Sequence, residues 1–202
     1  MDVNFYINFV LHVIYGRMGE ADQMMRVAGG NICRIADELA KRFPLAEKPI
    51  YRGVIVEPAA TLAAHPQYTF VSWSEDLDVA RWFGCPRSVI SQPLSMMRDI
   101  ITGHVATLPA PRSRVLFHHS WARVFGGISL DQFALRHPLM GREGQRQIAW
   151  ALQTQQEVIT EPVAEIPLAP CEVDDDELAD LEARLAPPWL SGLTIIQIAG
   201  AS

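Results

Sequence analysis

The sequence predicts an α+β protein, because its elements fall into two blocks along the chain. Two stretches with helical spacing of apolar residues come first, and segments rich in β-forming residues follow from residue 49 onward. The length of 202 residues suits one domain with a hydrophobic core and is short for two. Hydrophobic residues make up 49% of the chain and charged residues 20%, which is typical of a globular protein.

The N-terminal part, residues 1–47, is predicted to be helical. Apolar residues recur at helical spacing from residue 4 to about residue 27, which favours a first helix over that range. Gly29-Gly30 would end this helix, since paired glycines are poor helix formers. Asn31 would then cap a second helix that runs to Phe43, just before a proline.

The central part, residues 48–162, contains most of the strand signals. Four segments are rich in β-branched and aromatic residues and predict strands, at 49–56, 68–74, 114–124 and 153–159. A helix is expected at 77–83, directly after the acidic pair Glu75-Asp76, because carboxylates suit the N-terminal end of a helix dipole. A further short helix is expected at 129–135.

The C-terminal part, residues 163–202, is predicted to extend the domain. Prolines at 162, 167 and 170 favour a semi-rigid connector. The run Asp174-Asp-Asp-Glu177 opens an acidic helix that continues to Leu185. Residues 193–198 would add a terminal strand. The whole chain is therefore expected to form one domain of three consecutive parts.

Charge and cysteine content restrict the partners and the compartment. The 17 basic and 23 acidic side chains give a net charge of −6, which disfavours a nucleic-acid partner without excluding it. Three widely separated cysteines favour a reducing compartment over a disulfide scaffold. The apolar run at 5–15 is too short to cross a bilayer and lacks the features of a signal peptide. We therefore expect a cytoplasmic protein without a membrane partner; the sequence does not set the oligomeric state.

A metal site is not expected. The cysteines and the six histidines show no CxxC or HxxxH spacing, and the chain has no phosphate-binding glycine motif. His118 and His119 are adjacent. Neighbours on a strand point to opposite faces, so the pair is expected to be a poor chelate, with one ring packed and one exposed.

Three short motifs carry residues that suit the chemistry of NAD. Arg52 lies within an apolar strand segment, where an unpaired charge is costly, and its guanidinium suits a pyrophosphate. Strand alternation places Ser72 with Ser74, and Gln155 with Glu157, on common faces. A carboxylate such as that of Glu157 stabilises the cation formed when a glycosidic bond breaks, and a serine hydroxyl can hold it in place. Together these residues predict a site that cleaves the nicotinamide–ribose bond.

The same motifs resemble the Arg–Ser–Glu class of mono-ADP-ribosyltransferases, which includes binary toxins, Rho-modifying exoenzymes and phage transferases. The resemblance rests on Tyr51-Arg52-Gly53, on Phe70–Ser74 with the helix after it, and on Gln155–Ile159. It covers about residues 48–162. It implies an ADP-ribosyltransferase-like fold of two packed, mainly antiparallel sheets with N-terminal helices, acting in the cytoplasm of a bacterial or phage-infected cell.

The resemblance also implies a role for each matching residue. Arg52 would hold the phosphates of NAD, and the backbone of Gly53 would bind the nicotinamide amide. Ser72 would position Glu157, and Glu157 would bind the ribose 2′-hydroxyl and stabilise the cation. Gln155 would help to choose the acceptor, and glutamine there disfavours arginine as the modified residue. NAD is then a substrate, and no metal is required.

The resemblance also bears on four residues in or near the motifs. Ser74 and Phe83 are candidate NAD-binding residues, although the helical spacing of Trp82 and Phe83 also fits core packing. Trp73 stands where the family usually has threonine, so its ring is expected to pack on the opposite face of the strand. Trp150 is the aromatic residue nearest the glutamine motif and is expected in the turn before it.

The function expected from the sequence is transfer of ADP-ribose from NAD, with release of nicotinamide, to a protein side chain such as asparagine or cysteine. Two alternatives remain open. The chain could be an NAD glycohydrolase, in which water is the acceptor, or a non-catalytic interaction module that keeps the fold. Arg52 could also merely pair with Glu47 or Glu57, and Glu157 could be an ordinary exposed carboxylate.

Overall fold

The computed structural model describes residues 3–56, 68–90, 102–109, 114–123, 141–163, 166 and 168–187. Within them the helices are α1 (Val3–Ile14), α2 (Met18–Arg42), α3 (Leu77–Gly84), α4 (Gly141–Gln153) and α5 (Asp175–Leu185), with a 3-10 helix at His119–Arg123. The strands are β1 (Ile50–Val56), β2 (Val71–Ser74), β3 (Thr102–Leu108), β4 (Val115–His118), β5 (Glu157–Thr160) and β6 (Leu168–Pro170). The α+β class is confirmed.

The strands form one sheet in the order β4-β5-β2-β1-β3-β6, and every neighbouring pair is antiparallel. The two packed sheets expected from the resemblance are therefore not shown by the described residues. β1 and β3 pair along their full lengths, whereas β1 and β2 are joined through Tyr51 and Ser74.

The N-terminal helices contain one break that was not predicted, after Ile14, and a kink next to the break that was predicted. The first helix ends at Ile14, and the chain turns at Gly16, whose φ of 69° is readily adopted by glycine. The predicted break at Gly29-Gly30 corresponds to a kink in α2, because the backbone of Ala28 is not helical and separates two helical segments there. Helical spacing of apolar residues was interpreted as continuous across Gly16, so the pattern alone missed the first of these two breaks.

Three elements of the sheet region, β3, α4 and β6, were not predicted, and two predicted strands are shorter than expected. β3 carries a run of small and mixed residues, and α4 is largely polar, so neither has a strong periodic signal. The strand expected at 153–159 begins only at Glu157, because α4 continues through Gln153. The segment at 114–124 is a strand only as far as His118.

Helices cover one face of the sheet, and a smaller cluster lies on the other. α1, α2 and α4 pack with Phe117 and Ile159 in the largest core cluster. Trp73, Val158 and Ala106 belong to the cluster of the opposite face, as strand alternation requires. α3 and α5 form a third cluster beside the sheet.

Helix α5 was predicted correctly, and in the structure Asp174 caps its N-terminus. The expected helix at 129–135 and the expected strand at 193–198 lie outside the described residues. Among the helices that the structure describes, none is both long enough and apolar enough to cross a bilayer.

Candidate active site

A cavity of about 390 Å³ opens between the α1–α2 turn, β1, β2, α3, α4 and the segment before β5. Its volume lies in the range of small-molecule sites. The structure brings all seven site residues proposed from the sequence to its wall: Arg52, Gly53, Ser72, Ser74, Phe83, Gln155 and Glu157. Their chemical roles stay predictions.

Ser72 and Glu157 meet because β2 and β5 are paired. Ser74 lies directly opposite Glu157, and Ser72 lies opposite Ile159, so all four side chains share one face of the sheet. The hydroxyl of Ser72 donates a hydrogen bond to Oε1 of Glu157. This is the arrangement expected of a serine that fixes the orientation of a reactive carboxylate.

The Glu157 carboxyl is buried at the base of the cavity, and the residue is only 6% exposed. Burial raises its pKa from the ordinary value of 4.5 to about 7, because the charged form is poorly solvated there. The hydrogen bond from Ser72 and the positive charge of Arg52 oppose this shift. The interpretation of Glu157 as an ordinary exposed strand carboxylate is therefore wrong.

Arg52, on β1, is among the residues that line the same cavity, and it is exposed to solvent. Its Nη1 lies 3.5 Å from the carbonyl oxygen of Ser72, at the limit of a hydrogen bond. The surrounding protein lowers its pKa and the charge of Glu157 opposes this, but an arginine stays charged in either case. Among the described residues, which include Glu47 but not Glu57, Arg52 makes no ion pair.

Gly53 is the point at which helix α3 touches β1. A Cβ atom at this position would lie 2.2 Å from the carbonyl oxygen of Ala80 and 2.3 Å from the backbone nitrogen of Gly84. Both contacts are with backbone, so a side chain here would displace the helix. Gly53 therefore has a packing role in addition to its place in the cavity wall.

Gln155 does not lie on a strand with Glu157, which corrects the sequence interpretation. It occupies the bend between α4 and β5, and the next residue, Gln156, has a φ of 47° in the left-handed region. The hydroxyl of Ser74 donates to the Gln155 carbonyl oxygen at 2.6 Å and accepts from the backbone nitrogen of Asp76 at 2.9 Å. Ser74 thus fixes the loop that presents Gln155 to the cavity.

The aromatic residues near the cavity divide into two groups. Trp82 is fully buried and belongs to the core, whereas Phe83 is half-buried and reaches the cavity wall. Trp150 lies in α4 and not in a turn, and its ring centroid is 6.4 Å from that of Phe83. Trp73 packs on the opposite face, as predicted, where its Nε1 donates to Oγ1 of Thr160 at 3.0 Å.

Sequence reasoning missed the contribution of the N-terminal helices. Tyr15, Gly16 and Met18, at the α1–α2 turn, also line the cavity. The Tyr15 hydroxyl is buried and has no hydrogen-bond partner among the described residues. No local pattern marks Tyr15 as a site residue, because only the packing of α1 and α2 brings this turn to the sheet.

The two adjacent histidines do not point apart, contrary to the sequence interpretation. β4 ends at His118 and the 3-10 helix begins at His119, so strand alternation no longer applies between them. Their rings stack with centroids 4.5 Å apart, and both approach the carboxylate of Glu75. Glu75, His118 and His119 form the only group of three or more potential metal ligands found in the described part of the chain.

No protein-family model, curated protein or solved structure matches the chain. Functional inference therefore depends on the geometry of the cavity and on the resemblance of its motifs.

Proposed function

We propose that the chain is a mono-ADP-ribosyltransferase that binds NAD in the cavity and transfers its ADP-ribose to a protein. The observation that carries this proposal is the buried Glu157 carboxyl, which accepts a hydrogen bond from Ser72 at the base of a cavity that Arg52 also lines. The other four residues proposed from the sequence line the same cavity: Gly53, Ser74, Phe83 and Gln155.

Arg52 is the group suited to the pyrophosphate of NAD. Its guanidinium carries a permanent charge, is open to solvent and has no carboxylate within ion-pair distance among the described residues. Two parallel N–H donors match two phosphate oxygens. Phe83 offers an apolar surface to the nicotinamide ring.

Glu157 would act on the bond between ribose C1′ and the nicotinamide nitrogen. That bond breaks with its electron pair going to nicotinamide, which leaves as a neutral molecule. The carboxylate stabilises the positive charge left on the ribose ring, and Ser72 holds the carboxylate in place. A lone pair of the acceptor then bonds to C1′, and the proton that the acceptor loses passes to water.

This chemistry requires the charged form of Glu157. Because burial raises its pKa to about 7, the free protein holds a mixture of both forms near neutral pH. Bound NAD places the cationic nicotinamide ring near the carboxylate, and a nearby positive charge favours its ionised form. The substrate therefore assists in ionising the group that acts on it.

The acceptor that we propose is an asparagine or cysteine side chain of a protein. The support is Gln155, which lines the cavity from a loop that Ser74 fixes. A neutral amide offers hydrogen bonds without a charge, so it gives no preference for a cationic arginine. The net charge of −6 also disfavours nucleic acid as the target.

The first test measures nicotinamide release from labelled NAD in the presence of a cell lysate. We expect Glu157→Gln to lower kcat/KM by about 100-fold to 1,000-fold, as loss of an oxyanion-hole donor does. Ser72→Ala should give a smaller loss, since it leaves the carboxylate present but free to rotate. Glu161→Gln is the matched control, because Glu161 lies beyond the end of β5 and pairs with Arg114.

Three results of this assay separate the competing functions. Label on a protein band supports the proposed transfer, and free ADP-ribose as the sole product supports an NAD glycohydrolase. If the wild-type protein releases no nicotinamide, both enzymatic functions are contradicted and a binding module is favoured. A loss below about tenfold for Glu157→Gln would show that another carboxylate acts.

A further inference from the structure

We propose that Glu75, His118 and His119 form a binding site for a first-row divalent metal ion such as Zn²⁺. The site lies at the ends of β2 and β4, two strands that flank β5. His118 pairs with Val158, so its side chain leaves the sheet on the side away from that of Glu157. The metal site is therefore separate from the proposed NAD site and does not depend on it.

The geometry of the three side chains matches metal coordination. Nε2 of His118 lies 3.2 Å from one carboxylate oxygen of Glu75, and Nε2 of His119 lies 2.9 Å from the other. All three potential ligand atoms lie within 4.8 Å of one another. Two ligands that are each 2.0–2.1 Å from a tetrahedral zinc ion are about 3.3 Å apart, so a small adjustment would admit the ion.

The ligand set selects the class of metal. Two imidazole nitrogens and one carboxylate are the ligands of many zinc and first-row transition-metal sites, whereas Mg²⁺ and Ca²⁺ prefer oxygen ligands alone. The side chains of Glu75 and His118 are 12% and 10% exposed, and that of His119 is 22% exposed. Three ligands leave at least one coordination position for water, and an ion could enter from the His119 side.

Ser120 provides the support that a metal-binding histidine needs on its other ring nitrogen. Nδ1 of His118 lies 2.7 Å from Oγ of Ser120 and 3.1 Å from the backbone nitrogen of the same residue. Without metal, Nδ1 of His118 can accept a hydrogen bond from the backbone N–H of Ser120, while the N–H at Nε2 of His118 faces Glu75. With metal on Nε2, the ring proton resides on Nδ1 and donates to Oγ, so no proton leaves this ring.

A bound ion would join three strands at one end of the sheet. The backbone nitrogen of Glu75 donates to the carbonyl oxygen of Gln156 at 3.4 Å, just before β5. A metal bound to Glu75, His118 and His119 would thus link the ends of β2 and β4, next to the segment at Gln156 that leads into β5. We expect saturating Zn²⁺ to raise the Tm, because an ion that binds only the folded state stabilises it.

The test uses Co²⁺ as an optical probe on the full-length protein. We expect one Co²⁺ per chain, with visible absorption typical of nitrogen and oxygen ligands and without the intense near-ultraviolet band of thiolate ligation. That band matters because the chain has three free cysteines. Glu75→Gln and His119→Asn should each weaken Co²⁺ and Zn²⁺ binding at least about 100-fold, since even supporting residues cost 10–100-fold.

Glu161→Gln is the control, because this carboxylate accepts a hydrogen bond from the thiol of Cys33 and would report binding there. It should leave Co²⁺ affinity unchanged. A second readout does not depend on any variant: of the six histidines, only His118 and His119 should show strongly shifted imidazole signals in the NMR spectrum with Co²⁺. Absence of uptake, a thiolate band, shifts at other histidines instead, or unchanged affinity in folded Glu75→Gln would overturn the proposal.

Discussion

Glu157 is a buried carboxyl whose two polar neighbours, Ser72 and Arg52, favour its charged form while burial opposes it. Burial has the larger effect, and the pKa rises to about 7. A buried acid at a strand end that served structure alone would be replaceable by an apolar residue at little cost. Its position at the base of the cavity is the reason to expect chemistry from it.

The raised pKa gives a prediction about stability. Between pH 4.5 and about 7 the folded state keeps a proton on Glu157 that the unfolded state has lost. The free energy of unfolding therefore falls as pH rises through this window, by up to about 3 kcal/mol from this group. Glu157→Gln mimics the neutral acid and should be more stable than wild type at pH 8.

Urea denaturation of both proteins at pH 4, 6 and 8 measures this effect. The difference in unfolding free energy should be small at pH 4 and should increase toward pH 8. Glu161→Gln removes an ion pair with Arg114, so this variant should not become more stable than wild type toward pH 8. A constant difference between wild type and Glu157→Gln across the pH range would mean that Glu157 does not titrate with a raised pKa.

At the scale of elements, the close contact between α3 and β1 shapes the cavity. Asp76 caps α3 by accepting the backbone N–H of Asp78 at 2.9 Å, which sets where the helix begins. The end of the helix then rests on Gly53, and this places Phe83 at the cavity wall. The cavity depends on the absence of a side chain at one strand position.

Gly53→Ala should therefore destabilise the protein by at least about 2 kcal/mol and reduce nicotinamide release, because backbone atoms of α3 occupy the space of the new methyl group. Thermal melting and the nicotinamide assay measure the two effects. Gly30→Ala is the matched control. It lies within α2 with no atom within 4 Å of the added Cβ, so it should raise stability by about 0.5–1 kcal/mol.

If both alanine variants change stability equally, the contact at Gly53 is not a constraint. If Gly53→Ala lowers stability but leaves activity intact, α3 does not shape the site.

At the scale of the whole molecule, the N-terminal helices are part of the core and not an appendage. The hydroxyl of Tyr6 donates to the carbonyl oxygen of Leu116 at 2.6 Å, and Nε1 of Trp121 donates to that of Phe43 at 3.2 Å. Phe117 and Ile159, on β4 and β5, are buried in the same cluster as α1 and α2. The motif region at 48–162 thus needs residues outside it to cover its sheet.

We expect a chain that lacks residues 1–47 to lose cooperative unfolding, since the apolar face of β4 and β5 would be exposed to water. Circular dichroism during heating measures this. Tyr6→Phe in the full chain is the comparison, and it should cost only about 1–3 kcal/mol through the lost hydrogen bond. A sharp thermal transition in the truncated chain would show that residues 48–202 form a core without the N-terminal helices.

The sequence by itself determined the α+β class and the starts of α3 and α5, and the resemblance of its motifs to a known family indicated the seven residues that meet at the cavity. The helix starts and the common face of Ser72 and Ser74 follow from local chemistry, because acidic residues favour helix N-termini and side chains alternate along a strand. The sequence did not reveal β3, which pairs with β1 and β6, or α4, which packs in the largest core cluster. It also placed Gln155 on a strand, because no local signal reports the left-handed backbone at Gln156.

Only the tertiary structure decided which distant residues share the sites. The Tyr15 turn reaches the cavity because α1 and α2 pack on the sheet, and Glu75 meets His118 and His119 because β5 lies between β2 and β4. The physical reason is that periodicity reports the face on which a side chain lies. The packing of elements far apart in sequence decides what that face meets.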